Sequence, residues 1–312
     1  MAIANFEEFC RCFCELAGFA GVALPPDTNG SQSFSVRLRG VEVSAVALRH
    51  TPDHVFMVAE LGAPGPGEAD ACWLALLEAN SAVPGVGGAR FSRSPRTGEA
   101  VIQWACLLPD VTPVDVYRGI SRMVDVALRW RHDRTVDADA LEPEQGAWPP
   151  SGLVAVREAH AAQAARRFHA LYSGLCDTRG EPVDPPPEGA AACSVTLHVS
   201  GVDVVMAHLP RMRPDVALIG IPFGDLSPVA PHAHAAALLD ANFVLATQPH
   251  GAAFCRDCVS GDVLLRYAYP LVGGSGAQCL AHMESLAAFV QRWNVTAMPP
   301  AEAVSLPMAM MA

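Results

Sequence analysis

Stretches of this 312-residue sequence return at a nearly fixed distance of 161 to 163 residues. Leu76-Leu77-Glu78-Ala79-Asn80 recurs as Leu238-Leu239-Asp240-Ala241-Asn242. Phe91, Arg93, Gly98, Glu99, Trp104 and Ala105 match Phe254, Arg256, Gly261, Asp262, Tyr267 and Ala268, and Arg129-Trp130 matches Arg292-Trp293. Upstream, Val36-x-Leu38-x-Gly40-Val41-Glu42-Val43 matches Leu197-x-Val199-x-Gly201-Val202-Asp203-Val204. Solenoid repeats span only about 20–45 residues, so a period this long means a duplicated domain. Short loop changes account for the drift of two residues. Between the copies, VDADALEPEQGAWPPSG (136–152) is acidic, carries Pro and Gly, has no periodicity and reads as a linker. The expected organisation is a first copy over 1–135, a second over 153–297, and a flexible tail over 298–312.

Hydrophobic spacing gives the elements of one copy. Phe6, Phe9, Cys10, Phe13, Leu16 and Ala17 share a helical face, and Gly18 ends it. Phe34, Val36 and Leu38, then Val41, Val43 and Ala45, alternate with period two about Gly40, which marks two strands and their turn. Residues 54–61 form a third, more buried strand. After the Pro64-Gly65-Pro66-Gly67 break comes a helix over 69–83, stopped by Gly85-Val86-Gly87-Gly88. A hairpin follows, turning at Pro95-Arg96-Thr97-Gly98 and returning through 100–107, and a helix over 114–130 closes the copy. Copy two repeats the order with helices near 155–173, 231–246 and 277–293. Sequential antiparallel hairpins with flanking helices make the class α+β, two tandem αβββαββα domains.

Composition removes several functions. Apolar residues make up 51% and charged residues 17%, enough to build a core and too apolar for a disordered chain. Net charge is −11, which disfavours nucleic acid as a partner. All 21 basic residues are arginine, so a P-loop lysine, a lysine Schiff base and a lysine general base are excluded. Ten cysteines are too few for a disulfide scaffold of this size and read as buried thiols in a reducing compartment. The N-terminus lacks a basic signal-type region, and no apolar run is long enough to span a bilayer, so no membrane association is expected.

The element order, the Leu-Leu-x-Ala-Asn helix, the aromatic strand before a Thr/Ser-Gly-Glu/Asp turn, and the closing helix ending in Arg-Trp together resemble the class I type III secretion chaperones, the Tir-chaperone or CesT-like family. The likeness spans nearly all of both copies. It implies a cytoplasmic bacterial protein without catalysis or cofactor, which binds the N-terminal segment of a secreted effector in extended form and keeps it export-competent. Members usually pair as homodimers. Two copies on one chain imply an intramolecular pseudo-dimer and a monomeric chain, since a 17-residue linker spans about 23 Å and tethering supplies millimolar effective concentrations. By resemblance, Phe34, Val36, Leu38, Val195, Leu197 and Val199 are candidates for holding the effector. Trp73, Leu76, Leu77, Trp104, Leu238 and Leu239 are candidates for the interface between copies.

Residues with reactive side chains offer alternatives. Cys10, Cys12 and Cys14 sit on one helix and cannot close a zinc tetrahedron by themselves. Cys255-x-x-Cys258 has redox or half-zinc spacing, but copy one has Ser92 and Pro95 there and no second pair exists. His232-Ala233-His234 precedes a helix, and its side chains diverge. No metal site is expected. Asn80 and Asn242 recur near a helix end, as caps or buried hydrogen-bonding groups. Two other functions fit the same sequence: a regulatory adaptor that sequesters a transcriptional activator or anti-activator, and a zinc- or thiol-dependent enzyme.

Overall fold

The computed structural model describes residues 3–19, 32–49, 51–82, 89–134, 154–182, 193–210, 213–226, 229–247 and 251–295. The expected linker and tail, and the glycine cluster at 85–88, lie outside the described residues. Copy one runs α1 (Phe6–Ala17), β1 (Gln32–Leu38), β2 (Val41–Leu48), β3 (Thr51–Gly62), α2 (Ala69–Ala82), β4 (Arg90–Arg93), β5 (Ala100–Leu107) and α3 (Pro113–Asp133), with a 3-10 turn at Leu108–Asp110. Copy two runs α4 (Val154–Arg179), β6 (Cys193–Val199), β7 (Val202–Leu209), β8 (Arg213–Gly224), α5 (Pro231–Leu245), β9 (Ala253–Arg256), β10 (Val263–Pro270) and α6 (Gly276–Val295). Each copy is an antiparallel five-stranded sheet, in the orders β1-β2-β3-β5-β4 and β6-β7-β8-β10-β9. The αβββαββα order therefore occurs twice, as the repeat requires.

Local chemistry explains the repeated boundaries. Arg39-Gly40 and Ser200-Gly201 both take positive φ at two successive residues, near +50° and +80°. Such a two-residue turn matches the right-handed twist of its flanking strands. Glycine takes this conformation without steric cost, and a side chain at Gly40 would not. The first helices end alike: Gly18 and Gly180 are left-handed, and Phe19 and Glu181 donate backbone N–H groups to Cys14 and Cys176 carbonyls at 2.9 and 3.0 Å. This satisfies carbonyls that a helix end otherwise leaves open. At the start of α3, Thr112 and Asp115 exchange side-chain-to-backbone bonds as a capping box. Hydrogen bonds from Thr112 hold the Asp115 carboxyl below its usual range.

With the end glycines aligned, the buried face of α1, Phe6, Phe9, Cys10, Phe13 and Cys14, falls on Phe168, Leu171, Tyr172, Leu175 and Cys176 of α4, all buried. α4 runs farther than the 155–173 expected from sequence, through Gly174 to Arg179. Gly174 stays helical because it meets Gly276 where α4 crosses α6, and a Cβ on Gly276 would strike the Gly174 backbone. α1 and α3 cover one face of the first sheet, with α3 lying along β2, β3 and β5. No helix among the described residues is long and apolar enough to cross a membrane. The buried apolar residues of both copies join in one cluster.

Candidate binding surfaces and the seam between the copies

The copies pair by reciprocal exchange. α2 packs on α5 and on β9, while α5 packs on β4. Leu76 and Leu77 on α2, and Leu238 and Leu239 on α5, are fully buried. Trp73 is buried on α2 beneath the Arg93 guanidinium, which lies 5.5 Å from its ring centroid. Arg93 then reaches over to Asp240 Oδ2 of the other copy at 2.9 Å. Arg256, the repeat partner of Arg93, pairs with Glu78, the repeat partner of Asp240. The next pair follows the same two-fold logic. Gln103 donates to the Phe243 carbonyl at 3.3 Å, and Arg266 donates to the Ser81 carbonyl. Four polar crossings therefore form two symmetry-related sets, which fixes the register of two otherwise greasy faces.

Asn80 and Asn242 hold the inner strands. The Asn80 amide donates to the Phe91 carbonyl at 2.9 Å and accepts from Phe91 N–H at 2.7 Å. Asn242 does the same with Phe254, at 2.9 and 2.6 Å. Each satisfies both backbone groups of one strand residue, a demand that a buried strand end must meet. Of the two sequence readings, this is the buried hydrogen bond rather than a cap. Asn80 also reaches the Phe254 carbonyl across the seam at 3.4 Å.

The seam also departs from symmetry. Arg90 is buried and donates to the Ala252 carbonyl at 3.4 Å, and burial lowers its pKa to about 10. Burial pushes the Asp240 carboxyl up to about 6, against the opposing pull of Arg93. Trp104 stands apart from the other residues expected at the interface. Its indole lies over Gly119 of α3, within its own copy. Alternation explains this: Gln103 points toward the seam, so its neighbour Trp104 points away. The crossing ions Glu78, Arg93, Asp240 and Arg256 were not singled out from sequence as seam residues. The signal was available, since each position keeps its charge sign in both copies.

The other sheet ends are open. β1 and β6 are the outermost strands, and among the described residues no further strand pairs with either. Phe34, Val36 and Leu38 share one face of β1, and Val195, Leu197 and Val199 share one face of β6. Phe34, Leu197 and Val199 are buried, whereas Val36, Leu38 and Val195 are half-buried. On the opposite face, Arg37 pairs with Glu42 at 3.4 Å, and His198 pairs with Asp203 at 2.9 Å at the equivalent place. Each edge thus offers backbone groups, a partly apolar face and a charged face.

The candidate reactive groups are poorly placed for chemistry. Burial drives the Cys10, Cys106, Cys255 and Cys279 thiols up to about 12 and Cys72 up to about 11, so they stay protonated at neutral pH. Cys255 is buried in β9, while Cys258 is exposed in the following turn. His232 and His234 lie within the first turn of α5 rather than before it, because the helix starts at Pro231. His234 is buried near Phe223, while His232 approaches Asp70 at 3.9 Å. Among the described residues, no three His, Cys, Asp or Glu side chains converge as metal ligands.

Three complexes are among the solved structures that match parts of this chain. The ExsC–ExsE complex matches at 15% identity, over 41% of this chain and 93% of the matched chain, with a TM-score of 0.29. The ExoT–SpcS complex from Pseudomonas aeruginosa matches at 20% identity, over 40% and 96%, with a TM-score of 0.31. The HopA1–SchA chaperone–effector complex matches at 11% identity, over 39% and 93%, with a TM-score of 0.31. A search of curated proteins found no match. The family model of the Tir chaperone proteins matches twice, over residues 11–131 and 191–294. Those two stretches contain the seam, both open edges and nearly all of both sheets, and this chain belongs to the Tir chaperone protein (CesT) family.

Proposed function

We propose that this chain is a cytoplasmic, non-catalytic type III secretion chaperone, acting as one chain with an internal pseudo-two-fold. It binds the N-terminal segment of a secreted effector in extended form and keeps that segment competent for export. The observation that carries this reading is the placement of the seam. Pairing through α2, α5, β4 and β9 uses the inner sheet ends and leaves β1 and β6 at the outer ends. An extended segment adds to such an edge through backbone hydrogen bonds, and alternate side chains set its register. Phe34, Val36 and Leu38 would receive it on one copy, and Val195, Leu197 and Val199 on the other. Binding must offset the ordering entropy of a disordered segment, which favours a preformed sheet edge as receptor.

Residues 1–135 and 153–297 form the two halves in this reading, and 136–152 is the tether that replaces subunit association. The test is deletion of the gene in the native bacterium, followed by quantification of secreted and cytosolic proteins. Loss of export of one effector, restored by the full chain, supports the reading. Unchanged export of every type III substrate overturns it.

A further inference from the structure

Among the described residues, the first copy gathers three exposed apolar side chains on two neighbouring helices outside its core. Leu16, at the end of α1, is 45% exposed, and Val114 and Tyr117, in the first turns of α3, are 47% and 36% exposed. α1 packs along α3. Phe13, one turn before Leu16, has its ring centroid 6.5 Å from that of Tyr117 and 6.1 Å from that of Phe34 on β1. The exposed side chains therefore flank a buried ring that continues to the open strand edge. Exposed apolar groups gathered in this way mark a partner surface, whereas scattered ones do not.

Copy two is arranged differently: its exposed Val272, 63% exposed, stands in the turn before α6 and not on the helix. The aligned helix ends put Thr178 at the place of Leu16, Ala277 at Val114 and Leu280 at Tyr117. Thr178 turns its hydroxyl back to the Gly174 carbonyl at 2.7 Å. Leu280 is only half-exposed. The aromatic trio Phe13, Phe34 and Tyr117 becomes Leu175, Val195 and Leu280.

Charge differs in the same place. Around the first-copy patch stand Glu8, Glu15, Asp110 and Asp115, against Arg11 and Arg118. Arg11 is already engaged by Glu8 at 3.5 Å and Glu15 at 3.3 Å. Copy two has Ala170, Asp177, Gly273 and Gln278 at the four acidic positions, and Arg179 stands two residues after Asp177. Arg179 is itself engaged by Glu181, so both rims are net negative, and the first-copy rim, with four acids against two arginines, is the more so.

We infer that Leu16, Val114 and Tyr117 form an anchoring site on the first copy for a client segment whose apolar side chains are flanked by arginine or lysine, and that the second copy has no equivalent site. The anchor of the pseudo-dimer is then one-sided: the second-copy edge only extends contacts of a segment already held on the first copy, and one chain anchors one client. This rests on the chaperone reading above. Apolar burial supplies the affinity, and the acidic rim selects against acidic segments.

The test titrates the full-length chain, by fluorescence anisotropy at about 0.15 M salt, with a labelled peptide of alternating Leu and Arg. The peptide has roughly 12 residues, enough to lie as a strand, and a Leu–Glu peptide of the same length is the control. The expected result is one Leu–Arg peptide bound per chain, with the Leu–Glu peptide roughly tenfold weaker or worse. The double variant Leu16→Ser/Tyr117→Ser should lose about tenfold in affinity, and Leu280→Ser should stay within about twofold. Circular dichroism and urea midpoints verify that each variant is folded.

Two peptides bound per chain, equal losses from the two variants, or no binding of the Leu–Arg peptide would overturn the inference. So would a dimer of the whole chain that Leu16→Ser/Tyr117→Ser dissolves, which would give the patch to a second copy of this chain. None of these outcomes touches the export assay, so the chaperone reading fails or survives independently.

Discussion

The two copies fill the same space between their fifth strand and closing helix in opposite ways. In copy one, the large Trp104 indole lies over Gly119. In copy two, the smaller Tyr267 ring faces the larger His282 at the equivalent place, with centroids 6.0 Å apart. A small residue faces the large ring and a larger residue faces the smaller ring, so each partner is sized to the ring it meets. The seam behaves differently. There both copies keep the same charges, Arg93 with Arg256 and Glu78 with Asp240, because each pair must cross to the other half. The copies differ in the pair behind the sheet and keep the two charge pairs that cross the seam.

Breaking the conserved seam should cost most. Asn80→Ala removes both partners of the buried Phe91 backbone, and stranding two such groups costs roughly 1–3 kcal/mol apiece. A loss of about 3 kcal/mol is expected in urea unfolding. Asn242→Ala should behave similarly but lacks the second bond across the seam, so equal or larger destabilisation by Asn242→Ala would contradict the role given to Asn80 there.

The compensated pair gives the next effect. Gly119→Ala drives a methyl into the Trp104 ring, and overpacking of this kind costs about 1–3 kcal/mol. Combining it with Trp104→Tyr, which mimics copy two, should restore part of that loss. Additive losses in the double variant would show that the pair is not volume-coupled.

Arg93→Ala should cost about 1–2 kcal/mol, because it leaves the Asp240 carboxyl buried without its cation. Asp240 also sets a pH dependence. Its carboxyl titrates near 6 in the folded chain and near 4 when unfolded. The folded state therefore holds the proton more tightly, and the charged form burdens stability above about pH 6. As pH falls from 8 to 5, wild type should gain stability relative to Asp240→Asn. A constant difference across that range would refute the assignment.

The smallest effect separates the copies by acid. Burial lowers the pKa of His208, His234 and His282, and copy one has Ala47, Cys72 and Gly119 at those places. A histidine with a depressed folded pKa costs stability as pH falls below its unfolded value near 6.5. Hydrogen exchange at pH 5.5 should therefore lose protection in β7, α5 and α6 before β2, α2 and α3. Uniform loss, or earlier loss in copy one, would break this comparison.

Much of this architecture was legible in the sequence. The 161–163-residue repeat, the period-two strands about Gly40 and Gly201, and the helical faces of α1 and α2 specified two α+β units, because those patterns reflect local backbone geometry. The bounds of α4 were not legible. Gly174 looks like a stop signal and becomes a helix-crossing point only when Gly276 lies against it. Trp104 was expected at the seam, and only the packed sheet shows that this face belongs to its neighbour Gln103.

The sequence by itself determined that the chain holds two equivalent αβββαββα units, since hydrophobic periodicity and turn chemistry act over a few neighbouring residues. Only the tertiary structure decided how the units meet and what remains outside. Arg93 finds Asp240 across 147 residues of chain, and Leu16 comes to the same flank as Tyr117 through the packing of α1 on α3. Contacts of that range arise from three-dimensional packing, which no local pattern encodes.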